Sequence, residues 1–81
     1  MYIIDISSKE EFENGHLDNS INIDLSDMNE GKFPNFPKDS PILLYCVSGG
    51  RASRSKNILE SLGFTNVTNG GGYEDLKTKR L

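Results

Sequence analysis

The chain has 81 residues, enough for one small domain with one core, so residues 1–81 are expected to fold as a single domain. It is 35% hydrophobic and 26% charged, no apolar run approaches the roughly 20 residues that span a bilayer, and its single cysteine excludes an internal disulfide and a cysteine-rich metal site. The net charge of -3 divides unevenly: residues 1–45 carry nine acids and three bases, residues 46–81 three acids and six bases. With pI ≈ 5.0 and no basic run interleaved with aromatics, neither nucleic acid nor a membrane is expected as partner. The positive bias around and after Cys46 suits a small anion instead. Tyr2-Ile3-Ile4-Asp5-Ile6 is apolar and β-branched, which predicts a buried strand. Ser8 precedes Glu11 by three, a capping-box pattern that predicts a short helix over Lys9–Asn14 ending at Gly15, anchored by Phe12. Ile21-Asn22-Ile23 alternates as a very short strand. Residues 24–40 are polar, and Pro34 and Pro37 exclude regular structure around them, leaving one turn of helix over Leu25–Glu30.

Ile42-Leu43-Leu44-Tyr45-Cys46 is apolar throughout, the pattern of a strand in the middle of a parallel sheet covered on both faces. A helix is predicted from Arg51 to Leu62, with Ala52, Ile58, Leu59 and Leu62 on its apolar face and Gly63 as its stop. Thr65–Thr68 predicts a last short strand around Val67. Gly70, Gly71 and Gly72 then read as a tight loop before a weak helix from Tyr73 onward. Strand and helix alternate, so the fold class expected is α/β with a small, mainly parallel sheet flanked by helices.

Cys46-Val47-Ser48-Gly49-Gly50-Arg51-Ala52-Ser53 runs from the carboxyl end of the buried strand into a helix, where ligands bind in open α/β sheets. Loop amides and the free donors of a helix N-terminus converge there on an anion, and they favour thiolate over thiol at a cysteine. Gly49 and Gly50 let the backbone approach a bound group closely, and Arg51 offers a cation able to fork onto two oxygens. Taken singly, each feature is ordinary: a core cysteine, a glycine turn, a surface arginine. Together they make Cys46 the candidate nucleophile, with Val47, Ser48, Gly49, Gly50 and Arg51 as the substrate-binding loop. Ser48 and Ser53 are placed to donate hydrogen bonds, Ser53 with less weight because helix N-termini favour serine anyway. Only four residues separate Cys46 from Arg51, one fewer than in the tyrosine-phosphatase signature. The tighter loop suits a sulfur electrophile.

This loop length is the pattern of the rhodanese sulfurtransferases, and the chain resembles that family along almost its whole length. Asp5-Ile6-Ser7 stands at the family's Asp-Val-Arg signature. Glu11-Phe12, Gly15-His16-Leu17 and Ser20-Ile21-Asn22-Ile23 match its next segment, and Gly63-Phe64, Val67 and Gly71-Gly72 the stretch after the catalytic helix. The resemblance is nearest to minimal single-domain members of the phage-shock type. It implies the rhodanese-like three-layer fold and a thiosulfate sulfurtransferase activity with a persulfide on Cys46, a small anionic sulfur donor, and cyanide, a thiol or a sulfur-accepting protein as acceptor, without metal or organic cofactor. A persulfide carrier for a partner protein is the alternative, then a phosphatase or arsenate reductase of related fold. Ser7 replaces the signature arginine, Val47 stands where many thiosulfate-using members carry a second cation, and the chain begins at the signature strand. His16, Asp5 and Asn22 read as structural residues, and the triple glycine as a means of close approach beside the loop. The Asn66-Val67-Thr68 sequon reads as coincidental, because it overlaps a strand and no secretory signal is visible; a cytoplasmic location is expected.

Overall fold

The alternation of strand and helix is realised in a computed structural model that describes residues 1–78. The elements are β1 (Tyr2–Asp5), α1 (Lys9–Glu13), β2 (Ser20–Asn22), α2 (Leu25–Asn29), β3 (Ile42–Cys46), α3 (Gly50–Ser61), β4 (Val67–Gly72) and α4 (Tyr73–Thr78). Any continuation of the last helix past Thr78 lies outside the described residues. The strands form one parallel sheet in the order β2-β1-β3-β4. All five residues of β3 are buried, as its uninterrupted apolar run requires of an inner parallel strand. Its alternate residues serve two faces. Ile42, Leu44 and Cys46 join Ile4, Ile6, Met28, Ala52 and Leu59 in the main core under α2 and α3. Tyr45 instead lies against Tyr73 of α4, ring centroids 6.1 Å apart. Among the described residues, no helix is long and apolar enough to cross a membrane.

Local chemistry explains the helix boundaries. The capping box forms as the spacing predicts: Glu11 N–H donates to Ser8 Oγ at 3.1 Å, and Ser8 N–H to Glu11 Oε1 at 2.9 Å. Helix α3 ends in a Schellman motif, with Phe64 N–H donating to the Leu59 carbonyl and Gly63 N–H to that of Glu60, both at 3.1 Å. Gly63 takes the left-handed turn this requires, at φ 97°.

Three expectations are corrected. Leu62 was assigned to the apolar face of α3 but is 48% exposed. The Schellman turn swings Phe64 back into the core, so Phe64 fills the space beneath the helix end and Leu62 is left outside. Residues 24–40 are not merely a polar connection: Phe36 is buried and Phe33 packs against the core, because the proline-rich segment lies across it. The triple glycine is not a loop after a strand over Thr65–Thr68 but the end of β4 itself. Leu44 pairs with Asn69 and Cys46 with Gly72, so β4 spends one residue more than β3 over the same length, a β-bulge at its glycines.

Candidate active site

Cys46 ends β3, the strand flanked by β1 and β4, and its side chain is 1% exposed. The chain then turns through Val47–Gly49 into α3. Gly49 adopts φ 94° as the N-cap residue, a left-handed conformation that glycine takes without strain. The turn aims the Gly49 N–H at Cys46 Sγ, 2.9 Å away. No side chain caps α3, and its first intrahelical bond runs from Ser53 N–H to the Gly49 carbonyl at 3.0 Å. The N–H groups of Gly50, Arg51 and Ala52 therefore have no partner within the helix. They form, with Gly49, a set of donors suited to negative charge at the sulfur. Val47, Ser48 and Gly50 are exposed on this turn and Gly49 is half-buried. Ser53 is exposed, with no side-chain hydrogen bond to the loop among the described residues.

The bulge of β4 supports the loop from below. A Cβ on Gly72 would lie 2.7 Å from the Val47 carbonyl oxygen, and one on Gly49 3.3 Å from Gly71 Cα. The glycines thus permit the close approach inferred from their clustering.

Arg51 was expected to present its charge to a substrate. In the structure its guanidinium forks onto Glu11, with Nη1 to Oε1 at 2.6 Å and Nη2 to Oε2 at 3.0 Å. Glu11 is also the N3 residue of the α1 capping box, so one carboxylate ties the start of α1 to the start of α3. The Arg51 fork, followed by the Ser8 amide, lowers the Glu11 carboxyl from its usual 4.5 to about 2. Glu11 in turn holds the Arg51 guanidinium above its ordinary range, with Cys46 and Asp24 adding smaller contributions. The remaining donors of the fork stay available to a substrate oxygen.

A cleft of about 180 Å³ opens beside Cys46. It is lined by Asp5 and Ser7 at the carboxyl end of β1, by Glu11, Asn14 and Gly15 of the α1 region, and by Val47, Tyr73 and Glu74. Asp5, read from sequence as structural only, is 3% exposed and stands in this wall. Asn14, Tyr73 and Glu74 were not singled out. One signal pointed towards Asp5: it closes the strand beside β3 at the ligand-binding end of a parallel sheet. His16 and Asn22, read from sequence as structural, make contacts within the fold. The His16 ring stacks on Phe12 at 3.6 Å, and its Nδ1–H donates to the Phe12 carbonyl at 2.6 Å. Asn22 Nδ2 donates to the carbonyls of Ser7 at 2.8 Å and Asp5 at 3.2 Å, bracing β1. Tyr45 accepts the Leu17 N–H at 2.9 Å and donates to Ser20 Oγ at 3.2 Å, fastening the turn before β2 to β3.

Comparison with known proteins places this geometry in context. A family model described as a rhodanese-like domain matches residues 1–79. Thiosulfate sulfurtransferase PspE of Escherichia coli is 32% identical over 79 residues, covering 96% of this chain and 76% of that protein. A solved structure described as rhodanese with anions from E. coli superposes with a TM-score of 0.80 at 31% identity, covering 91% of this chain and 88% of that one. The human single-domain sulfurtransferase TSTD1, at 19% identity, shares the fold with a TM-score of 0.79 over 98% of this chain and 83% of its own.

Proposed function

The chain belongs to the rhodanese-like sulfurtransferase family, and from that membership we propose that it transfers sulfane sulfur by double displacement through a persulfide on Cys46. The observation that carries the reading is the buried Sγ receiving the Gly49 N–H at the unpartnered start of α3. The Cys46 thiolate attacks the outer sulfur of a donor such as thiosulfate. An Sγ–S bond forms, the donor's S–S bond breaks, and its electron pair leaves on sulfite. The amides of Gly49, Gly50, Arg51 and Ala52 stabilise both the leaving anion and the persulfide, acting as fixed dipoles where charge collects. Arg51, Val47 and Ser48 complete the donor-binding loop. The PspE relative, named for thiosulfate, supports that donor. The chain holds no second cysteine, so the sulfur acceptor is external: cyanide in an assay, a thiol or a sulfur-accepting protein otherwise. A carrier role towards a partner protein is favoured by one observation, the 55% exposure of apolar Val47 beside the nucleophile.

Intact-mass measurement after incubation with thiosulfate tests the reading. One added sulfur is expected on the wild type and none on Cys46→Ser, whose alkoxide is inaccessible at neutral pH. Sulfur transfer retained by a folded Cys46→Ser variant would sink the mechanism.

A further inference from the structure

Cys46 is 1% exposed, so a sulfur acceptor meets it inside the adjoining cleft and not at the surface. The cleft measures about 180 Å³, below the roughly 300–1,000 Å³ of pockets that take drug-sized ligands. The bulkiest side chain in its lining is Tyr73, the first residue of α4. Two contacts fix the ring. Its centroid lies 6.1 Å from that of Tyr45 in a stacked pair, and Tyr45 is itself held through its hydroxyl to Leu17 and Ser20. The phenol end reaches the turn after α1, where a Cβ on Gly15 would lie 3.3 Å from both Cε2 and Oη of Tyr73. Gly15 also lines the cleft, so the phenol joins the α4 wall to the α1 wall and closes the space between them. The Tyr73 hydroxyl has no hydrogen-bond partner among the described residues, so the ring is held by its faces and edges. Lys77 Nζ stands 5.6 Å from the ring centroid, a cation–π distance that equally depends on the ring.

We infer that Tyr73 determines the size of the sulfur acceptor, and that the acceptor it admits is a small, unbranched thiol. The thiolate of that acceptor attacks the outer sulfur of Cys46–Sγ–SH. A new S–S bond forms to the acceptor, the Sγ–S bond breaks, and its electron pair returns to Sγ. Cys46 is left as thiolate and the acceptor as its persulfide; oxidation state moves with the sulfur, so no redox partner is needed. Tyr73 forms none of these bonds. It limits which nucleophile can line up with the bond that breaks: a slender thiol passes the fixed ring, and one that is bulky beside its sulfur meets it. The acceptor role rests on the persulfide reading, whereas the steric limit on access to Cys46 does not.

Two measurements separate them. The first is the rate of Cys46 alkylation by iodoacetamide and by its N-tert-butyl derivative, each relative to its rate with glutathione. The wild type is expected to disfavour the bulky reagent. Tyr73→Ala should relax that discrimination about tenfold, the scale on which a pocket tells one methylene group from none. Tyr73→Phe keeps the ring and should retain the discrimination. Tyr73→Leu covers Tyr45 but withdraws the phenol end from Gly15, and it reads the same ratio if the alanine variant unfolds. No discrimination in the wild type, an unchanged ratio in the folded variant, or a phenylalanine variant that behaves like the alanine one overturns the inference. In the second, a persulfide formed on Cys46 with inorganic polysulfide is discharged to 2-mercaptoethanol or to glutathione. Comparing variant with wild type for each thiol cancels intrinsic nucleophilicity. Tyr73→Ala should raise the rate with glutathione relative to that with 2-mercaptoethanol, and Tyr73→Phe should not. Equal changes with both thiols overturn the acceptor assignment. Failure of any persulfide to form overturns the sulfur-transfer reading, and the alkylation ratio still decides the wall.

Discussion

Arg51 makes an ion pair across the site, and the contact to the donor proposed for it is a second duty that substitution can separate from the first. A charge-assisted contact to an anion contributes about 1.5–3 kcal/mol, so Arg51→Ala should lower kcat/KM for thiosulfate roughly ten- to a hundredfold. Arg54 is exposed and lies further along α3, and Arg54→Ala should leave the same constant nearly unchanged. Equal losses from the two would mean that diffuse positive potential, not a contact, is at work. Glu11→Gln keeps a side chain able to complete the capping box but removes the countercharge from Arg51. KM for thiosulfate is then expected to fall by about two- to fivefold, with a smaller change in kcat, and raised ionic strength should erode the gain. Steady-state kinetics of the three variants at two salt concentrations checks both statements.

At the scale of elements, Cys46 is positioned by the joint between β3, α3 and the bulged end of β4. A Cβ at Gly72 has no room beside the Val47 carbonyl, and the clash is with backbone, which cannot swing aside. Gly72→Ala is therefore expected to destabilise the protein by about 1–3 kcal/mol, to lower Tm by several degrees, and to slow sulfur transfer by displacing the loop. Gly50 is the contrast. A Cβ there meets nothing within 4 Å, and the residue is the first of α3. Gly50→Ala should raise stability by about 0.5–1 kcal/mol through the lower entropy of the unfolded chain. Thermal unfolding of the pair distinguishes them by sign.

The whole molecule should lose stability at both ends of the pH scale, through different groups. Glu11 has a folded pKa of about 2 against the usual 4.5, so it binds fewer protons when folded. Its contribution is present above 4.5 and is lost as pH falls from there towards 2. The pair is partly exposed, with side chains 36% and 37% accessible, so the acid limb should be shallow and flatten further in salt. Burial pushes the Tyr45 phenol from 10 up to about 12, against the opposing hydrogen bonds of Ser20 and Leu17. That stabilisation is complete below 10 and is lost as pH rises towards 12, on the order of 2–3 kcal/mol. Denaturant titrations across the range should show the acid loss reduced in Glu11→Gln and the alkaline loss reduced in Tyr45→Phe. An alkaline limb unchanged by Tyr45→Phe would assign it to other groups.

What was legible in the sequence is what depends on neighbours within a few residues. The capping box of Ser8 and Glu11, the Gly63 stop, the buried run of β3 and the Cys46–Arg51 loop all follow from local hydrogen bonds, backbone preferences and apolar periodicity. Their spacing along the chain is their spacing in space. The rest was decided by which strands became neighbours. Glu11 meets Arg51 across 40 residues only because β1 and β3 lie side by side and point their carboxyl ends the same way. The same juxtaposition brings Asp5 and Ser7 into one cleft with Cys46, and α4 adds Glu74 from near the far end of the described chain. Gly70–Gly72 resembled a loop until the register of β4 on β3 required one extra residue beneath the turn that follows Cys46. Leu62 looked apolar-facing until Phe64 occupied the space. Periodicity assigns a side chain to a face of its own element; what stands opposite that face, in charge or in volume, is set by the crossovers that assemble the sheet.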